Sequence, residues 1–231
     1  MPDGVFGLSG VRLAPRTVRQ TATYWSNGQT GVVVLTPPQI PTGTMIALVS
    51  TDGASVGTPY YAQQTGYTWR LAQNWQVNSN ANYPIISIWV GQPNTPRVTA
   101  GSSVTFSFNG NVWYACGALY EFNGLLRGDV RPMLLGWANS NTRIDSLVAG
   151  HGYNTTPPRD EKDWLLFHAA AVHSGAEGVT VTQPSGFTQL GATLMGTWWG
   201  RARTVDQTEV FNSVTCSTGG RTWTTIGCWI R

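Results

Sequence analysis

Apolar and polar side chains alternate with a period of two at Ile86-Ser87-Ile88-Trp89-Val90 and at Val104-Thr105-Phe106-Ser107-Phe108. That period places alternate residues on opposite faces of a strand, one toward a core and one toward solvent. Two other segments are largely apolar, 45–49 (MIALV) and 165–169 (LLFHA), and each follows a Pro-Pro turn. The pattern predicts strands at 31–37, 44–50, 66–71, 84–90, 102–108 and 112–121. It predicts a second series at 164–172, 186–191, 196–204, 212–218 and 222–231. The last two of each series read as a hairpin, turning at Asn109-Gly110 and at Gly219-Gly220, where glycine supplies the positive φ of a tight turn. A composition rich in Gly, Ser, Thr and Asn argues against helices.

The two series resemble one another. At an offset of 110, Ser103, Val104, Thr105, Ser107, Gly110, Trp113 and Gly117 meet Ser213, Val214, Thr215, Ser217, Gly220, Trp223 and Gly227. At an offset of 120, Thr36-Pro37-Pro38 meets Thr156-Pro157-Pro158, and Gly66-Tyr67-Thr68 meets Gly186-Phe187-Thr188. A ten-residue difference in one loop, near 74–83, reconciles the two offsets. Self-similarity at a fixed spacing is the mark of a duplicated unit. If each unit supplies one layer, two units packed face to face bury both apolar faces. The expected fold is therefore all-β: a jelly-roll-like two-sheet β-sandwich built from two pseudo-repeats, about 31–124 and 154–231, within one domain over 22–231. Two smaller domains are the other arrangement the repeat allows. Residues 1–21 are expected to form an extended N-terminal arm.

Composition sharpens this picture. Charged residues make up 11% of the 231-residue chain, against about 25% in an average domain. Gly, Ser, Thr and Asn fill the polar positions, which suits turn-rich β structure and a surface that meets other protein. The net charge is +3 and Lys162 is the single lysine, with no Lys/Arg run of the kind that marks nucleic-acid binding. No basic-then-apolar leader opens the sequence and no run nears 18 apolar residues, so neither a secretory signal nor membrane insertion is expected. Three cysteines, Cys116, Cys216 and Cys228, are too few for a disulfide framework and read as buried thiols.

With the strands placed, the pieces TPP…DWLLFHAAAV, QPSGFTQLG, WWGRARTV and RTWTTIGCWIR resemble duplicated β-sandwich structural proteins of tailed bacteriophages, minor tail proteins above all. The turn Pro184-Ser185-Gly186-Phe187-Thr188 after a strand and the closing strand ACGALYEFNG (115–124) carry the likeness, which covers about 22–231. The resemblance implies a non-enzymatic virion protein of the tail tip or periphery, assembled in the host cytoplasm. Other virion proteins and further copies of the chain are the implied partners. A capsid decoration or head-fibre protein is the alternative within the class. A carbohydrate-binding module recognising a host-envelope glycan is the alternative outside it.

No constellation of catalytic residues, metal ligands or cofactor-binding loops stands out. His168 and His173 are five apart on a predicted strand and face opposite ways, and His151 sits in a loop. Gly7-Leu8-Ser9-Gly10 lacks the spacing of a nucleophile elbow. Neither Glu121 nor the turn acids Asp160, Glu161 and Asp163 form a glycosidase pair, and Arg127-Gly128-Asp129 reads as a turn. The chain is read as no enzyme, with no catalytic residue, metal site or cofactor. Two contact regions are expected instead. In the arm, Phe6, Leu8, Val11 and Leu13 are apolar and Arg12, Arg16 and Arg19 are charged. Glycine and proline forbid a helix there, and the segment is expected to add to a neighbour's sheet edge. In the second half, one of Trp198 and Trp199 must point outward. Beside Arg201 and Arg203 it is expected to stack on a glycan or a partner.

Overall fold

The computed structural model describes, with side chains, residues 18–26, 28–51, 58–74, 85–94, 103–113 and 115–123. Elsewhere it describes only the backbones of strands. The first half runs β1 (Val18–Ser26), β2 (Thr30–Leu35), β3 (Thr44–Asp52), β4 (Tyr61–Gln63), β5 (Tyr67–Trp75), β6 (Ile85–Pro93), β7 (Val104–Val112) and β8 (Tyr114–Phe122). No helix occurs among the described residues. These strands form two antiparallel sheets, a five-stranded one in the order β1-β8-β3-β6-β5 and a three-stranded one in the order β2-β7-β4. The all-β, two-sheet expectation holds.

The pairings nest. The outermost strands pair with each other, β1 with β8; then β2 pairs with β7, and β3 with β6. A turn in which the Tyr67 amide donates to the Gln64 carbonyl joins β4 to β5 at the centre of the nest. Each layer comes from within the first half, which departs from the expectation of one layer per unit. Val33 and Leu35 of β2 and Phe106 of β7 face Met45, Ala47, Trp89 and Leu119 of the larger sheet, all buried. Phe106 is the hub. Trp69 and Trp89 meet it edge-on at centroid distances of 5.5 and 5.6 Å, an arrangement worth about 0.5–1.5 kcal/mol per pair beyond area burial. Trp89 is satisfied inside the core: its Nε1 donates to Ser87 Oγ, which donates to the Val49 carbonyl.

Two expectations about connections need correction. Residues 102–121 do not form a hairpin, because β7 and β8 lie in opposite sheets. The chain passes Asn109-Gly110 without reversing and crosses between the layers at Trp113. Gly110 keeps a special backbone, with φ of 126°, where the register with β2 jumps from Val32↔Ser107 to Thr30↔Val112. A side chain at that φ would be strained. The physical reason for the crossing is burial. Val104, Phe106 and Phe108 need apolar partners opposite Ala115 and Leu119, which neighbours in one sheet would not give them. The second correction is at the N-terminus, where residues 18–21, expected in the arm, open β1.

The larger sheet is buried on both sides. Ile46, Leu48, Ile86, Ile88, Val90 and Tyr120, which point away from the three-stranded sheet, are at most 1% exposed. Continuous apolar runs such as MIALV are what a strand covered on both faces requires. Close approach matters on the inner side as well: a Cβ on Gly117 would lie 3.0 Å from Val33 Cγ1 and 3.3 Å from Leu35 Cδ1. Cys116 is buried and in no disulfide.

The second half contributes β9 (Val130–Pro132), β10 (Ala138–Asn139), β11 (Ser146–Val148), β12 (Trp164–Val172), β13 (Val181–Thr182), β14 (Gly191–Ala192), β15 (Thr197–Trp198), β16 (Thr204–Val205), β17 (Ser213–Cys216) and β18 (Trp223–Ile230). They pair in the order β10-β18-β12-β16, with β9 also on β18, and in the sets β11-β17-β13 and β14-β15. Here too the supposed hairpin strands, β17 and β18, belong to different sheets. Backbones of β18 come within 8 Å of β5 and β6, on which the larger first-half sheet ends.

Candidate functional site

An ion pair between Arg19 and Glu121 sits half-buried at the root of β1. Along β8, Ala115, Gly117 and Leu119 face the core, so Glu121 takes the next inward position, at the margin of the sandwich. It is 1% exposed. On β1 the pairing shifts by one residue between Val18 and Gln20. Such a bulge breaks the strict alternation of a strand, and here it lets two consecutive side chains, Arg19 and Gln20, reach the same carboxylate. The third contributor is the segment after the Pro-Pro turn, whose backbone amides point inward.

Every lone pair of Glu121 is used. Its Oε1 accepts from Arg19 Nη1 at 2.9 Å, from the amides of Thr42 and Gly43 at 2.8 Å each, and from Thr42 Oγ1 at 3.3 Å. Its Oε2 accepts from Arg19 Nη1 at 3.0 Å and from Gln20 Nε2. Arg19 continues outward, donating to Gln39 Oε1 and to the Ile40 carbonyl. Gln20 Oε1 accepts from the Gln39 amide at 2.8 Å. Tyr67 of β5 donates its hydroxyl to the Gly43 carbonyl at 3.0 Å, and burial, with the nearby Glu121 charge, pushes its pKa well up. Burial pushes the Glu121 carboxyl up, but the Thr42, Gln20, Gly43 and Arg19 hydrogen bonds outweigh it, so its pKa is lowered overall. A saturated carboxylate with a lowered pKa is ionised near neutral pH, with no proton to give and no free lone pair to take one. It acts as a fastener between β1, β8 and the 39–43 segment.

The second feature is a surface. Outward positions of β2, β7 and β4 form two rows across the three-stranded sheet, Val32–Ser107–Tyr61 and Val34–Thr105–Gln63. None of these three strands contains a charged residue. Tyr61 is 49% exposed and stacks with Tyr60, which is 68% exposed, at 6.5 Å between ring centroids.

Of the residues expected to make contacts, Arg19 is described and is committed to Glu121 of its own chain, which corrects its assignment to a partner. Phe6, Leu8, Val11, Arg12, Leu13 and Arg16 lie outside the described residues, as do Trp199, Arg201 and Arg203. Trp198 is placed only as backbone in β15, paired with Gly191. His168 is placed likewise in β12, opposite Gly227. The other two histidines, the turn acids, Gly7–Gly10 and Arg127–Asp129 also lie outside. Glu121 is the residue the sequence undervalued. Its signal is a lone carboxylate inside YACGALYEF, a segment too apolar to hold an unpaired charge.

What the fold and these features define is a class, an all-β protein whose first half is two antiparallel sheets with β1 fastened to β8. Comparison with protein-family models, curated proteins and solved structures finds no match.

Proposed function

We propose that the chain is a structural protein of a tailed-phage particle, a minor tail protein of the tip or periphery, and that it assembles through its N-terminal arm and sheet edges. We read the nested pairing of β1 with β8, β2 with β7 and β3 with β6 as jelly-roll-like, an architecture used in viral shells and in lectins. The second half pairs its strands in the same pattern, β17 between β11 and β13 as β7 is between β2 and β4, and β18 with β12 as β8 with β3. We read this as a second, equivalent jelly roll. Fold alone does not assign a role.

The observation that carries the reading is the root of β1. An arm that joins subunits must transmit load to a rigid body, and the first residues of β1 are fixed to two other elements through Glu121. Removing residues 1–17 is expected to leave the melting temperature unchanged while abolishing incorporation into particles. The cut must spare Arg19 and Gln20, which belong to the body. Normal incorporation of the shortened chain would overturn the proposal.

A further inference from the structure

We propose that the outer face of the three-stranded sheet binds a neutral glycan, with Tyr60 and Tyr61 as the stacking platform. This goes beyond the reading above and does not depend on the chain's place in a particle. Three observations converge. First, the face carries no charge on any of its strands, so neither nucleic acid nor an acidic polysaccharide would find the cations it needs. Second, its polar groups are the Gln63 amide and the Ser107 and Thr105 hydroxyls, uncharged donors and acceptors matched to sugar hydroxyls. They alternate with the apolar Val32 and Val34 and with rings that can cover the C–H face of a sugar. Tyr suits such a role because it offers a large apolar surface and a polar end at small entropic cost. Third, size decides between a glycan and a second copy of the chain. Two rows across three strands, at about 4.8 Å between strands and about 6.8 Å between rows, make a footprint on the order of 200 Å². A stable protein interface needs about 800 Å² per partner. The footprint fits a short run of sugar rings and is too small for a dimer.

The test is affinity electrophoresis of the full chain through gels containing a neutral glucan, a galactomannan or an arabinogalactan, against alginate as the acidic control. At least one neutral polymer is expected to retard the protein, and alginate is not. Tyr60→Ala and Tyr61→Ala should each weaken retardation about tenfold or more with an unchanged far-UV spectrum and melting temperature, since both rings are exposed. Phe106→Leu, in the core, should leave the affinity of the folded fraction unaltered. Failure of all three neutral polymers to retard the protein would overturn the proposal, as would retention in both Tyr variants. A concentration-dependent dimer in sedimentation that Tyr61→Ala abolishes would overturn it too, and would assign the face to self-association.

Discussion

The two sheets of the first half solve the same problem in opposite ways. In the five-stranded sheet, β3, β6 and β8 bury both faces, and nearly every residue from Met45 to Val49 and from Ile85 to Val90 is out of reach of water. In the three-stranded sheet, β2 and β7 bury one face only, and Val32 and Val34 stand more than a third exposed beside fully buried Val33 and Leu35. The difference shows that hydrophobicity does not report burial by itself. VVVL and MIALV are equally apolar, yet only the second is enclosed. What distinguishes the strands is their neighbours. β2 pairs with alternating VTFSF, whereas β3 lies between β8 and β6, whose residues 115–122 and 85–90 are buried without a break.

The strongest way to break this contrast is a charge on each sheet. Leu48→Asp places a carboxylate on the outer face of the larger sheet, where nothing can solvate it, at several kcal/mol. No cooperative thermal transition should remain. Val34→Asp, on the open face, should shift stability by about 1 kcal/mol or less. Equal effects in chemical denaturation would mean that both sheets are open, or both covered.

A middle-sized effect is expected where β1 and the 39–43 segment are fastened to β8. Glu121→Ala leaves the Thr42 and Gly43 amides and the Gln20 amide without an acceptor, and should cost about 3–5 kcal/mol. Arg19→Ala should cost less, about 1 kcal/mol, because Arg19 is 29% exposed and the carboxylate keeps its other donors. The pH dependence follows from the lowered pKa. A depressed folded-state value stabilises the protein above the ordinary carboxyl value of 4.5, and that contribution disappears as pH falls below it through the folded value. Denaturation midpoints measured from pH 7 downward should therefore drop on the acid side in the native chain and drop less in Glu121→Gln. Identical acid limbs would show that Glu121 is not held ionised.

An effect smaller than that of Glu121→Ala probes the separation of the layers. Gly117→Ala puts a methyl group 3.0 Å from Val33 Cγ1, and β2 must yield slightly. A loss of about 1–3 kcal/mol is expected from overpacking, read from urea midpoints. A neutral or stabilising result would mean that the sheets have slack.

Strand placement was legible because periodicity is a local property. The alternation in 104–108 and the apolar runs at 45–49 and 164–172 lie where strands form. Pairing was not legible, because it depends on residues far apart. Asn109-Gly110 has the chemistry of a hairpin turn, and nothing nearby shows that the buried aromatics of β7 will face β8 across a core. β1 escaped notice because VRQTATYWS, an edge strand with one neighbour among the described residues, mixes polar and apolar positions without a strict period. Glu121 could be seen as isolated, but its donors come from residues 19, 20, 42 and 43, which only the fold assembles.

Nested pairing also fixes the order of events during synthesis. Arg19 and Glu121 are 102 positions apart, so β1 leaves the ribosome long before β8 exists. At roughly 5–20 residues per second, the wait is on the order of 5–20 s. During that interval the apolar faces of β2 and β3 have no permanent cover, and the chain must reach its eighth strand before the first can lock. A nascent chain of this protein is therefore most exposed to mispairing just before Glu121 emerges, and the same carboxylate that fastens the finished unit is among the last parts of it to arrive.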